Sequence, residues 1–170
     1  MDSEASEQLA LAASRVAAIA RVHEHLYDGD CTGSINCQMY FQRLCDDLSG
    51  TIATEQGGIR IDIVDAVLPT KEIVPLGLIV AELVTNAAKH GAGAIMVSLD
   101  RSLSGDYALS VADEGAGLAE GYDPSATNGF GMRVISALVG QLHGRLVCGT
   151  SSDGRGAKFT VLFPADQGTE

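Results

Sequence analysis

The sequence predicts an α/β two-layer sandwich with a mixed sheet, preceded by one projecting helix. Three observations carry this. Apolar residues switch between helical and strand periods in the order helix, helix, strand, helix, strand, strand, helix, strand, strand. The chain has 170 residues, enough for one ordinary domain plus a helix or two. Hydrophobic residues make up 46% and charged residues 19%, which supplies a packed core and argues against wholesale disorder.

Glu7 to Tyr27 contains no Gly or Pro, and Leu9, Val16, Ile19, Val22 and Leu26 fall at helical spacings, so a helix is expected there. Leu9, Val16 and His23 recur every seventh residue with Ala12, Ile19 and Leu26 between them, a pattern similar to the a/d seam of a helical bundle. Asp28-Gly29-Asp30 ends it. After a turn-like stretch to Asn36, the residues Met39, Phe41, Leu44, Leu48 and Ile52 mark a second helix, closing near Gly57-Gly58. Ile59, Ile61, Ile63 and Ala66 mark a strand alternating with Arg60, Asp62 and Val64, and Pro69-Thr70 breaks it. A third, strongly apolar helix runs from about Glu72 to His90; it tolerates Pro75 near its first turn and stops at Gly91 and Gly93.

Two strands follow, Ala94 to Asp100 and Tyr107 to Asp113, joined by the polar hairpin Ser102 to Asp106. The glycine-rich stretch Glu114 to Asn128 has few large apolar anchors and is expected to act as a short mobile lid. A helix from Phe130 to His143 precedes a last hairpin that pairs Arg145–Thr150 with Ala157–Phe163. No internal repeat or low-complexity segment is present.

With 22 acids against 11 bases the formal net charge is −11, which excludes duplex nucleic acid as the default partner and disfavours anionic membranes. Aromatics are 5% and Trp is absent, so there is no stacking platform for single strands. No uninterrupted apolar run approaches the roughly eighteen residues of a membrane span. Asp2, Glu4 and Glu7, with no base before Ala10, are the opposite of a secretory leader. Cys31, Cys37, Cys45 and Cys148 show no metal-type CxxC spacing and fit the reduced thiols of a cytoplasmic protein.

Three clusters carry chemistry. Glu82, Asn86 and His90 are spaced i, i+4, i+8 on the third helix, so a carboxylate, an amide and an imidazole share one face of an otherwise apolar rod. A merely solvated face would be richer in Lys, Glu and Gln; polar groups on a buried helix are costly unless they border a cavity with polar contents. Asp113-Glu114-Gly115-Ala116-Gly117 places an acid at a strand end before two glycines, which lets backbone pass close to a planar ligand. Gly129-Phe130-Gly131-Met132 opens a helix, whose free N–H groups and dipole suit phosphate. Each glycine pattern alone is weak, because such turns are common, and there is no Walker A loop.

In this order the three clusters resemble the N, G1 and G2 boxes of the GHKL (Bergerat-like) ATP-binding fold, a mixed sheet with helices on one face. That family includes histidine kinases, gyrase-type topoisomerases, Hsp90 and MutL. The resemblance runs from about Ile73 to Pro164 and is nearest to bacterial sensor histidine kinases in PLGLIVAELVTNAAKHG, GFGMRVISALVGQLHGRL and GRGAKFTVLFP. Upstream, SRVAAIARVHEHLYDGD resembles the second dimerisation helix of the subgroup related to the HWE kinases; the HWE group itself carries a Trp-x-Glu element, and this chain has no Trp. The resemblance divides the chain into a partial dimerisation helix, residues 1–30, and a catalytic ATP-binding domain, residues 31–170.

The resemblance implies ATP and Mg²⁺ as ligands. Asn86 would hold the metal, and Glu82 would orient a metal-bound water or act as base. Asp113 would accept from the adenine amine, with Gly115 and Gly117 permitting close approach. Gly129, Phe130, Gly131 and Met132 would cradle phosphates, and Lys89 and His90 would reach phosphates or ribose. It further implies a response-regulator receiver domain as partner, and a homodimer through the N-terminal helix where the rest of a dimerisation domain is present. Ala157 stands where the family usually has Thr. The family's phosphoacceptor motif is absent; His23 is the candidate nearest to it, and a bundle-facing or surface imidazole is its plainer role. Two other readings compete: a docking protein with a degenerate ATP site, opposed by the intact Glu82, Asn86, Asp113 and glycine pairs, and an anti-sigma serine kinase, opposed by the helix at Glu7–Tyr27.

Overall fold

Among the described residues, the chain order is β1 (Ser34–Asn36), α1 (Cys37–Thr51), β2 (Ile59–Ile63), β3 (Val67–Pro69), α2 (Thr70–His90), β4 (Ile95–Arg101), β5 (Tyr107–Ala112), a 3-10 turn (Pro124–Ala126), α3 (Phe130–Gln141), β6 (Arg145–Thr150) and β7 (Ala157–Phe163). This computed structural model describes residues 33–52, 57–127, 129–151 and 153–165, and scattered positions between 5 and 24. The expected helix end at Asp28-Gly29-Asp30 lies outside the described residues, as do Cys31, Asn128 and Ser152.

Five strands form one sheet in the order β2-β4-β5-β7-β6. Only β2 and β4 are parallel, and a parallel pair needs a long crossover, which β3 and α2 supply. The period-2 alternation puts Ile95, Val97 and Leu99 of β4, Leu109 and Val111 of β5, and Val161 and Phe163 of β7 in the core. The helices cover that face with Phe41 and Leu44 from α1, Ile73, Leu76, Ile79, Val80, Leu83 and Val84 from α2, and Met132, Ile135 and Val139 from α3. The other face mixes polar and apolar residues, Met96 and Val147 lying exposed on it. There Ser98, Ser110 and Thr160 sit side by side in register, and the Ser110 and Thr160 hydroxyls share a hydrogen bond of 2.8 Å.

The sandwich with helices on one face agrees with the expectation; three details differ. β1 and β3 pair as a separate two-stranded ribbon where the sequence reads as a turn and a break. Strands of three residues are too short to show an alternation. Asn36 ends β1 and also caps α1, its Oδ1 accepting from the Met39 N–H at 2.9 Å. α2 begins at Thr70, so Pro75 lies about half a turn deeper than expected, inside the helix and buried. The ring fills core space there at the cost of one helical hydrogen bond. α3 ends at Gln141, and His143 takes a left-handed φ of 51° while the Gly144 N–H donates back to Val139 O at 3.0 Å.

α2 is long and apolar enough to cross a membrane by length and composition, but half of that apolar stretch is buried in this core. In the N-terminal segment the described positions are helical; Leu9, Val16 and Ile19 are exposed, whereas Val22 is fully buried in the domain core and His23 is exposed.

Candidate functional site

A cavity of about 310 Å³ opens between the C-terminal half of α2, the end of β5, the start of α3 and β7. From α2 it takes Leu83, Asn86, Ala87 and His90. That is the i, i+3, i+4, i+7 stripe of a helix. Glu82 sits on the shoulder of the same stripe, half-buried, and does not line the cavity; Lys89 is exposed on another face. Both basic residues at the helix end are exposed, and of the two His90 is the one that borders the cavity.

Asp113 is one of two buried polar residues among those described, 8% exposed, and the backbone is built around it. Its Oδ1 accepts from the Gly115 N–H at 2.8 Å and from the Ala157 N–H at 3.4 Å, and its own N–H donates to Ala157 O at 3.0 Å. Both side-chain bonds among the described residues end on Oδ1, leaving Oδ2 for the cavity that Asp113 lines. Three glycines close on this residue. A Cβ on Gly91 would meet the carboxyl carbon at 2.6 Å, and one on Gly115 would meet Oδ1 at 3.0 Å. A Cβ on Gly156, at φ +69°, would run into the Asp113 carbonyl oxygen. Gly115 therefore serves the carboxylate and does not line the cavity, while Gly117, at φ +83°, does.

Glu114 holds the neighbouring loop: its N–H donates to Ala92 O at 2.9 Å and its Oε2 accepts from the Ala94 N–H at 3.0 Å. This ties the turn after His90 to the strand end that carries Asp113.

At the far wall, Gly129 caps α3 without a side-chain bond, and Gly129, Gly131 and Met132 line the cavity. The first N–H groups of α3 have no intrahelical partner and carry the positive end of the dipole. Phe130 is 58% exposed and does not line the cavity. Val111, Leu118, Tyr122, Thr127, Ala157 and Phe159 complete the lining. Sequence reasoning missed Tyr122 and Phe159 because one lies in a loop and the other reads as a core strand residue.

The donor set suits a nucleotide. An apolar wall of Leu83, Val111, Met132 and Phe159 accepts a planar base, one buried carboxylate offers an acceptor, and an amide and a helix N-terminus lie beyond. The described residues contain no group of three His, Cys, Asp or Glu able to hold a metal by themselves. The Asn86 amide oxygen offers one hard ligand of the kind a Mg²⁺ held mainly by phosphates and water accepts.

The family model for histidine kinase-, DNA gyrase B- and HSP90-like ATPases matches residues 71–167, and a histidine kinase model matches residues 1–52. No curated protein matches the sequence. The fold is similar to the Erythrobacter litoralis EL346 blue-light activated histidine kinase (TM-score 0.78, 22% identity), covering 92% of this chain and 55% of that one. It is also similar to the Acinetobacter baumannii histidine kinase AdeS (TM-score 0.64, 17% identity, 95% of this chain and 81% of that one). Full-length ShkA in complex with AMPPNP aligns at TM-score 0.62 and 20% identity, over 95% of this chain and 37% of that one.

Proposed function

Because the chain belongs to the histidine kinase-, DNA gyrase B- and HSP90-like ATPase family, we propose that it is the ATP-binding catalytic portion of a two-component sensor histidine kinase. It transfers the ATP γ-phosphoryl to a histidine, from which the group passes to an aspartate of a response-regulator receiver domain. Residues 1–30 belong to a dimerisation-type helix and residues 31–170 to the catalytic domain. A kinase that draws on the ATP pool and on a receiver domain works in the cytoplasm.

The observation that carries this is the Asp113 carboxylate, fixed through Oδ1 by the Gly115 and Ala157 amides and bordering the cavity beside an apolar wall. A charged acceptor held this rigidly reads one exocyclic amine of a purine. Ala157 lacks the hydroxyl of the usual Thr and supports Asp113 through its backbone N–H instead. Gly117 lets the chain pass close to the base, and Val111, Met132 and Phe159 exclude water from it.

At the other end, Asn86 would hold Mg²⁺ through its amide oxygen, and Glu82, a turn earlier, would orient a metal-bound water or take the proton of the attacking group. When bound, Mg²⁺ supplies charge neutralisation to the phosphates. Gly129, Gly131 and Met132 present the N-terminal amides of α3 to those phosphates, with Phe130 contributing its backbone. His90 reaches the ribose or phosphates from the rim of the cavity, and Lys89 adds positive charge from the surface. The sequence carries no phosphoacceptor motif, so the acceptor histidine is supplied by another segment.

Calorimetric titration with ADP or ATP, with and without Mg²⁺, tests the reading. Binding that strengthens with the metal is expected; no binding in either condition overturns it. Incubation of this chain with radiolabelled ATP is expected to leave it unlabelled. Acid-labile, alkali-stable label that disappears in His23→Gln would make His23 the acceptor.

A further inference from the structure

Within the loop between β5 and α3 the backbone closes on itself in two consecutive turns. In the first, the Tyr122 N–H donates to Ala119 O at 3.0 Å. In the second, Asp123 Oδ1 accepts from the Ser125 N–H at 2.9 Å and the Ser125 hydroxyl at 2.6 Å, while Asp123 O accepts from the Ala126 N–H at 3.2 Å and the Thr127 hydroxyl at 3.1 Å. Tyr122 stands at the junction of the two turns. Its ring meets that of Phe159 edge-on, with centroids 6.2 Å apart and planes at 85°.

Phe159 lies on β7 directly opposite Cys148 of β6, and both Tyr122 and Phe159 line the cavity. The Cys148 thiol is held above its ordinary range by burial and, secondarily, by the Asp123 charge. Asp113, Leu118 and Thr127 are the other loop side chains on the cavity, and none brings an aromatic surface. Tyr122 is thus the aromatic anchor of a loop that carries few large apolar ones.

We propose that Tyr122 is a positioning residue: its edge-on contact with Phe159 pins the β5–α3 loop to the sheet and sets the apolar wall against which the nucleotide base packs. This rests on the nucleotide reading of the cavity. A loop without the pin would have to be ordered at each binding event, and the lost contact would appear mainly as faster dissociation.

The test uses Tyr122→Ala and Tyr122→Phe in the full chain, with three readouts: hydrogen exchange of residues 117–127, alkylation of the Cys148 peptide followed by mass spectrometry, and dissociation of Mg-ADP by stopped flow. In Tyr122→Ala, loop exchange and Cys148 alkylation accelerate, and ADP leaves about five- to tenfold faster, the scale of one aromatic pair. Exchange in β4 and β5 stays slow, which separates unpinning from unfolding. Tyr122→Phe keeps the ring edge and leaves all three within about twofold of the parent. Unchanged loop exchange and alkylation in Tyr122→Ala, or a Tyr122→Phe variant as loose as the alanine one, overturns the proposal. Failure of the parent chain to bind ADP refutes the nucleotide reading, and the first two readouts still decide the pin.

Discussion

The α-carbon of Gly91 faces the carboxylate of Asp113 so closely that a methyl group on it would stand 2.6 Å from Cγ and 2.9 Å from Oδ1. Gly91 has φ −92° and ψ −165°, an extended conformation open to any residue, so contact alone forbids a side chain: the same methyl group would also stand 2.6 Å from the Ala87 carbonyl oxygen. Gly91→Ala is therefore expected to push the Asp113 carboxylate off its Gly115 and Ala157 donors. ADP affinity should fall by about tenfold or more, in line with misplacing a charge-assisted acceptor. Calorimetry on the variant checks this, and parent-like affinity would show that the carboxylate does not contact the base.

Asp113→Asn probes the same acceptor without steric change. The amide oxygen can still accept from Gly115 and Ala157, which turns the NH₂ group toward the cavity, donor against donor. Affinity for adenine nucleotides should fall on the order of a hundredfold with little change in melting temperature. Wild-type-like binding would place the base elsewhere.

Gly77 lies inside α2 and is buried, and a Cβ on it would strike the Tyr40 hydroxyl, with the ring carbon Cζ at 3.0 Å behind it. Helix propensity alone would favour Ala over Gly by about 1 kcal/mol. Tyr40 is 2% exposed and wedged between helices, so its ring has no room to retreat. Overpacking costs of roughly 1–3 kcal/mol win, and Gly77→Ala should lower the urea midpoint. A raised midpoint would show that the ring moves freely.

Alkaline pH should destabilise the domain. Burial pushes the Cys37 and Cys45 thiols up to about 12 from 9.0, with smaller contributions from the charges of Glu72 and Asp46 respectively. Burial raises the Tyr40 phenol as well. A folded pKa above the unfolded one means that the thiolate prefers the unfolded chain. The thiols' contribution is thus complete below pH 9 and drains away as pH climbs toward 12. Urea midpoints measured across that window should fall, and a flat profile would count against the burial. Near neutral pH, Cys148, which is only half-buried, should be alkylated before Cys37 and Cys45.

Long periodic elements were legible in the sequence because one face of each had to be apolar over many residues. α1, α2, α3 and the strands from β4 to β7 all announce themselves this way. The stripe pairing Asn86 with His90 was legible for the same reason, although the choice between Lys89 and His90 needed the position of the cavity. What stayed hidden is contact between distant positions. Nothing local in Gly91 or Gly156 says that each abuts Asp113, and a tyrosine in a loop has no period to betray that it meets Phe159. The three-residue strands β1 and β3 fall below the length at which alternation can be read.

β5 occupies the middle of the sheet, but its neighbour β7 is the last strand among the described residues. On the ribosome, Asp113 emerges 44 residues ahead of Ala157. At ~5–20 residues per second that is a wait of roughly two to nine seconds. Throughout it, one edge of β5 presents unpaired amides and carbonyls beside the apolar side chains of Leu109 and Val111. An open edge of this kind is a template for foreign strands. In the nascent protein the vulnerable segment is therefore the centre of the finished sheet, not its rim, and a stall or truncation before residue 157 leaves both the sheet and the Asp113 acceptor unmade.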